Sequence, residues 1–166
     1  MTAGLPTLHM LCGKIAAGKS SLAAKLGAAP LTVIVSEDKW MFPLFGEEMK
    51  TVADYVRLSA RLRAPMAPHL VDLLKAGMSV VLDYPANTLA NRAWMRGIFE
   101  AAGVAHQLHY LDVPDEICRA RLQARNASGE HEFAATDAQF DLITSFFVPP
   151  TAAEGFEIVV HRPAAD

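Results

Sequence analysis

Residues 13–20 read Gly13-Lys14-Ile15-Ala16-Ala17-Gly18-Lys19-Ser20, which satisfies the pattern G-x4-G-K-[ST]. No other stretch constrains the fold as tightly, because the pattern works in only one setting. Its glycines must let the backbone turn sharply, so that successive N–H groups point inward at an anion. A helix must then open near the lysine and add the positive end of its dipole. Both flanks comply: the apolar run Leu8-His9-Met10-Leu11-Cys12 leads in, and Ser21-Leu22-Ala23-Ala24-Lys25-Leu26 follows as a good helix former. In such a strand–loop–helix unit the residues expected to hold a phosphate chain are Gly13, Lys14, Ile15, Ala16, Ala17, Gly18, Lys19, Ser20 and Ser21. Lys19 is expected to reach the β- and γ-phosphates, and the Ser20 hydroxyl to be offered to Mg2+. No segment expected to read a guanine base stands out, so the nucleotide is read as ATP, with the strictness of that choice over GTP left open.

The remaining chain repeats this alternation. Candidate strands run over 8–12, 31–35, 79–82, 106–111 and 157–160, each brief and apolar on both faces, as in a parallel sheet covered by helices. Helical patterns fall between them over 19–26, 52–62, 68–75, 90–102, 115–125 and 138–147. Strand and helix in this succession predict an α/β fold with right-handed crossovers. With 166 residues the chain is sized for a single domain, spanning 1–166. Asn126–Thr136, polar and poor in apolar residues, is the expected mobile stretch, and Pro149-Pro150 marks a break before the last strand.

A second acid suited to the metal ends the run Val80-Val81-Leu82-Asp83. Asp83 is expected to meet Mg2+ through water or to orient the acceptor. After the second strand comes Ser36-Glu37-Asp38-Lys39-Trp40. The carboxyl ends of neighbouring parallel strands share one edge, where ligands bind. An acid there lies near the γ-phosphate, and Asp38 is the choice for accepting the proton of an attacking hydroxyl, with Glu37 as its rival. The helix over 115–125 holds three arginines. Arg119 has Asp115 and Glu116 within one turn behind it, so a local ion pair accounts for it. Arg121 and Arg125 stack like charges four residues apart, an arrangement that either faces solvent or awaits an anion.

With those motifs on the page, the chain resembles the polynucleotide-kinase-like group of P-loop kinases, close also to zeta toxins and chloramphenicol phosphotransferases. In broader terms it looks like an AAA-type ATP-binding protein of unassigned acceptor. The matching elements are Gly13–Ser20, Asp38, the stretch Val80–Thr88, Arg92 and Leu111-Asp112-Val113-Pro114 with its arginine-rich helix. The resemblance implies a P-loop NTPase fold: a five-stranded parallel sheet flanked by helices, with a short lid over roughly residues 125–137. It also implies ATP with Mg2+, an aspartate base after strand two, and lid arginines at Arg121 and Arg125 that stabilise charge on the transferred group. Ala16 stands where such loops commonly carry glycine, and Lys39-Trp40 follow the acid where an acid and an arginine are common. The likeness therefore extends to the nucleotide half and not to the acceptor half.

The expected activity is transfer of the γ-phosphoryl group of Mg-ATP to a hydroxyl of a small molecule. The alternatives are a nucleotide-dependent switch or ATP hydrolase and, among kinases, one acting on the 5′-hydroxyl of a polynucleotide. A net charge of −3 argues against a long nucleic-acid partner, which usually demands a basic excess. The segment Trp40–Phe45 either walls an acceptor pocket or packs on the sheet. Arg57, Arg61, Arg63 and His69 either bind an acidic acceptor or lie on a solvated helix face. His131, Glu132, Thr136 and Asp137 fall in the expected lid and are candidates to touch either substrate. His106 and His109, three apart on a strand, belong on opposite faces and share no metal. Cys12 and Cys118 show no metal or redox spacing and read as buried thiols. Met1–Cys12 lacks the basic start of a signal peptide, and Leu11 is too bulky for a lipid-attachment site at Cys12. With no apolar run near the ~20 residues that span a bilayer, a cytoplasmic location is expected and no membrane partner.

Overall fold

In the computed structural model, which describes residues 4–129 and 135–163, the short apolar runs assemble into one parallel sheet. Its strands are β1 (Thr7–Cys12), β2 (Thr32–Ser36), β3 (Ser79–Pro85), β4 (Ala105–Leu111) and β5 (Ile158–His161), in spatial order β2-β3-β1-β4-β5. The central strands are apolar on both faces because both faces are covered. Leu8, Met10, Val80, Leu82 and Leu108 join the core shared with α3 (Val52–Lys75) and α4 (Leu89–Ala102). Leu11 and Val81 point the other way, onto Ala23 of α1 (Lys19–Gly27). The α/β fold of five parallel strands flanked by helices is thus the one the alternation predicts.

Three elements differ from expectation. The helical patterns over 52–62 and 68–75 are one continuous helix, the 24-residue α3, with Pro65 and Pro68 inside it. Each interior proline costs about 3 kcal/mol through a lost backbone hydrogen bond and a ring clash. Against that, Leu58, Leu62, Met66, Leu70 and Leu74 repeat every four residues on one buried stripe. At about 1.5–3 kcal/mol per buried side chain, the stripe outweighs the two prolines. The segment after β2 is likewise helical, as α2 (Glu37–Phe45), with the Ser36 hydroxyl accepting from the Lys39 N–H as its N-cap. The arginine helix, α5 (Asp115–Ser128), runs a turn beyond Arg125 and stops where Gly129 adopts the left-handed conformation.

Thr136, a lid candidate by sequence, instead caps α6 (Asp137–Ser145), accepting from the Gln139 N–H. His131 and Glu132 lie outside the described residues. Register fixes which strand ends meet. Ser36 of β2 stands opposite Asp83 of β3, whereas β1 pairs Met10 with Leu82 and then Leu11 with Pro85. Extra residues of β3 therefore bulge at its carboxyl end, beside the glycine loop. Among the described residues no helix is long and apolar enough to cross a membrane.

Candidate active site

The loop between β1 and α1 wraps on itself, with the Ala17 N–H donating to the Lys14 carbonyl at 3.1 Å. Two of its residues adopt positive φ: Gly18 at 106° and Ala16 at 63°. Ala16 thus takes the left-handed backbone that glycine would take without strain, at a cost of roughly 1–2 kcal/mol. α1 opens at Gly18 with no side-chain cap and no acid in its first turn, so its leading N–H groups and dipole are left to an anion. Lys14 turns outward, pairing with Asp115 at 2.5 Å and lying over the Phe147 ring.

Lys19 turns inward, its ammonium donating to the carbonyls of Gly13 at 2.7 Å and Lys14 at 2.9 Å. Burial holds its pKa below the usual lysine value, while Asp83 is the leading charge pulling it back up. Asp83 is pushed above the ordinary carboxylate range, again by burial and against the pull of Lys19. Its Oδ2 lies 3.5 Å from the Ser20 hydroxyl. One hydroxyl and one carboxylate are hard oxygen donors, too few for a protein-only cage. That set suits Mg2+, which retains waters and takes phosphate oxygens as ligands. Among the described residues no group of three or more His, Cys, Asp or Glu is arranged for a metal.

The two acids after β2 part company. Glu37 is buried, accepting from the Tyr55 hydroxyl through Oε1 and from Arg63 through Oε2 at 3.4 Å. Burial raises its pKa, with Tyr55 and Arg63 opposing. Asp38, the next residue in the same helical turn, is exposed and acts electrostatically on both Lys19 and Asp83. It also lines an open cavity of about 680 Å³ with Lys39, Phe42 and Pro43. The aromatic segment therefore divides: Met41 and Phe45 pack on the core, and Phe42 and Pro43 wall the space beside Asp38. The basic cluster divides too. Arg63 turns inward to Glu37, Asn91 and the Trp94 ring, whereas Arg57 pairs with Asp54, Arg61 lies over Phe45 and His69 is exposed.

On α5, Arg119 pairs with Asp141 at 2.6 Å and Asp137 at 4.0 Å rather than with its own helix, because α6 carries those acids alongside it and Lys14 has taken Asp115. Asp137 is thereby tied to α5, through Gln123 as well. Arg121 reaches the loop, donating to the Ala17 carbonyl at 3.3 Å. It also lines a second cavity, of about 190 Å³, between Gly18 and Ser21 at one side and His161–Pro163 at the other. Arg125, one turn on, does not line that cavity; its Nε is buried with no hydrogen-bond partner among the described residues.

Residues 8–150 match the model of the AAA domain family. The chain belongs to that family. No curated relative matches its sequence. Among solved structures it is similar to a protein of Chloroflexus aurantiacus described as a candidate kinase, at 17% identity and TM-score 0.75, over 97% of this chain and 87% of that one. It is similar also to the Mycobacterium tuberculosis APS kinase solved with AMPPNP and APS, at 20% identity and TM-score 0.58, covering 97% and 90%. A third likeness is to a chain of the Pnkp1/Rnl/Hen1 RNA repair complex, at 20% identity and TM-score 0.59, covering 89% and 49%. At such identities the shared property is the fold. It is a kinase-like P-loop fold, and its neighbours include kinases of the group that the sequence resembles.

This AAA domain also uses residues that spacing alone does not reveal. Asn87, just past β3, accepts from the Gly13 N–H at 2.9 Å and donates to the Gly13 carbonyl at 2.8 Å, so it clamps the first glycine of the loop. Arg92 is wholly buried and grips both Glu154 oxygens and the carbonyls of Ala86 and Val148. It holds the segment that presents Asn87 through the neighbouring Ala86 carbonyl. Both are among the residues that carry the resemblance, but nothing in their spacing announces a partner 74 or 62 residues away.

Proposed function

We propose that this protein is an Mg-ATP-dependent phosphotransferase that acts on the hydroxyl of a small molecule. One observation supports the reading above others: Lys19, Asp83 and Asp38 come from the ends of three adjacent strands and act on one another electrostatically. The loop amides and Lys19 bind the β- and γ-phosphates. Ser20 and Asp83 would hold Mg2+, which when bound neutralises charge between those phosphates. The cavity running from Gly18 and Ser21 to His161 continues the line of the phosphates and takes the nucleoside.

Asp38 accepts the proton as the acceptor oxygen bonds to the γ-phosphorus and the bond to the β,γ-bridging oxygen breaks. Glu37 is the weaker rival because both its oxygens are engaged in the buried cluster with Tyr55 and Arg63. Arg121 and Arg125 belong with the lid, roughly residues 125–137, and stabilise charge on the transferred group while water is excluded. Phe42, Pro43 and Lys39 wall the acceptor beside the base, a space suited to a compact metabolite. Cys12 and Cys118 are free, buried thiols, the state a reducing cytoplasm preserves.

The test is ADP release from Mg-ATP across hydroxyl metabolites, nucleosides, aminoglycosides and 5′-hydroxyl oligonucleotides. One compound class should stimulate turnover strongly, and Asp38→Asn should reduce transfer by about 100-fold or more with ATP affinity unchanged. Fast saturating turnover without any acceptor would point to a hydrolase instead, and unchanged transfer in Asp38→Asn would remove Asp38 as the base.

A further inference from the structure

His9, His109 and His161 form a hydrogen-bonded row across β1, β4 and β5. His9 Nδ1 lies 3.0 Å from His109 Nε2, and His109 Nδ1 lies 3.0 Å from His161 Nε2. The register explains the alignment: Leu11 stands opposite His109 and Leu111 opposite His161, so two-residue alternation sets all three rings on the sheet face that α1 covers. The central ring is only 3% exposed. The outer end of the row is not sealed, because His161 lines the cavity with Gly18, Ser21, Arg121 and Arg162.

A neutral imidazole has one N–H and one bare nitrogen. Three such rings hold three N–H groups, and the two bonds of the row consume two of them. The third must appear at one end. Either it sits on His9 Nε2, and His161 keeps a bare nitrogen outside the row, or it sits on His161 Nδ1 and His9 keeps the bare one. We propose that His161 reads the purine edge of the bound nucleotide, and that the row behind it sets whether His161 reads as acceptor or donor. This rests on the assignment of the cavity to the nucleoside. A bare nitrogen accepts from the 6-amino group of adenine, whereas an N–H donates to the 6-oxo group of guanine.

The proton count of the row therefore sets base preference. Adding one proton supplies an N–H at both ends and forces the donor state on His161. Burial holds His9 below the ordinary imidazole value, and burial with two imidazole neighbours holds His109 down at about 4. The middle ring is thus a poor place for added charge, and the extra N–H of a charged row shows at its ends. Lys25 of α1, Arg121 of α5 and Arg162 after β5 share the cavity with His161, and Arg162 is paired with Asp112 at 3.4 Å.

The experiment measures affinity of the full chain for ATP, GTP and inorganic triphosphate at pH 8 and pH 6 by calorimetry. The ATP:GTP affinity ratio should fall at pH 6 by about 2–10-fold, the worth of one neutral hydrogen bond. His161→Ala should give the same ratio at both pH values. His9→Leu, at a residue that does not line the cavity, strands a buried N–H on His109 in the acceptor state and so favours the donor state. Its ratio should already be low at pH 8. A ratio that ignores pH and survives both substitutions, with ATP bound better than triphosphate, overturns the proposal and leaves the nucleoside cavity standing. ATP bound no better than triphosphate overturns both. Imidazole 15N spectra of the wild-type chain give a check independent of folding in the variants: a single fixed tautomer set unmoved between the two pH values refutes the row as a proton-sensitive device.

Discussion

Replacing Asn87 by Ala removes both bonds that hold the Gly13 peptide. The two losses are unequal. Gly13 is buried, so its N–H is left without a partner, which costs about 1–3 kcal/mol. Its carbonyl still receives the Lys19 ammonium at 2.7 Å, so the loss there sits at the low end for a hydrogen bond, about 0.5–1 kcal/mol. The expected destabilisation is about 2–3 kcal/mol, a fall in Tm of roughly 4–12 °C for a domain of this size. Urea titration should show a lower midpoint with an unchanged slope. A loop that has lost its clamp must be ordered by ATP itself, so ATP affinity should weaken by about tenfold if some 1.4 kcal/mol is transferred to binding. Asn87→Asp separates the two bonds: it keeps an acceptor for the N–H but turns a second oxygen toward the carbonyl. It also adds negative charge beside the phosphates, so its ATP affinity should fall further than in Asn87→Ala. Stability within 0.5 kcal/mol of the parent, together with unchanged ATP affinity in Asn87→Ala, would refute the clamp.

Ala16→Gly relieves the strain of φ 63° but loosens the unfolded chain by about 0.4–1 kcal/mol. Net stability should stay level or rise by up to about 1 kcal/mol in urea titrations, and a loss beyond 1 kcal/mol would contradict the strain argument. Tyr55→Phe leaves the Glu37 carboxyl with Arg63 alone and should cost about 1.5–3 kcal/mol. If Glu37 positions Asp38, the same variant lowers kcat at unchanged ATP affinity, and unaltered kcat confines the cluster to stability. His109, held near 4, resists protonation when folded, whereas an unfolded histidine takes up its proton near 6.5. Stability should therefore be full above about pH 6.5 and decline as pH falls toward 4, and His109→Gln should flatten that part of the profile.

Much of this fold is local in origin, and that part was legible from residue types. The loop over 13–20 needs only its own glycines, its lysine and the flanking strand and helix, all contiguous. The strands are short two-sided apolar runs, which identify themselves by length and pattern. Element ends were less legible. The interior prolines of α3 signal a break, yet the chain runs on because a distant sheet rewards one continuous apolar stripe. Ser36, Glu37 and Asp38 open a helix whose cap was readable, but an aromatic run ending in Pro43 and Phe45 hid its extent.

Partner choice is where sequence stopped. Arg119 sits within reach of Asp115 and Glu116 on its own helix, but α6 delivers Asp137 and Asp141, and Lys14 claims Asp115 from the loop. Glu37 and Asp38 are adjacent and chemically alike, and only the packing of Tyr55 and Arg63 turns one of them inward and leaves the other at the strand edge. The three histidines are 100 and 52 residues apart along the chain and meet because parallel register lays their strands side by side. The sequence alone determined a parallel α/β sheet with an anion cradle after its first strand, because those depend on backbone geometry set by neighbours in the chain. Tertiary structure alone decided which acid, which arginine and which imidazole face the cradle. A side chain's partner is chosen by competition among all groups within a few ångströms, and most of those arrive from distant parts of the chain.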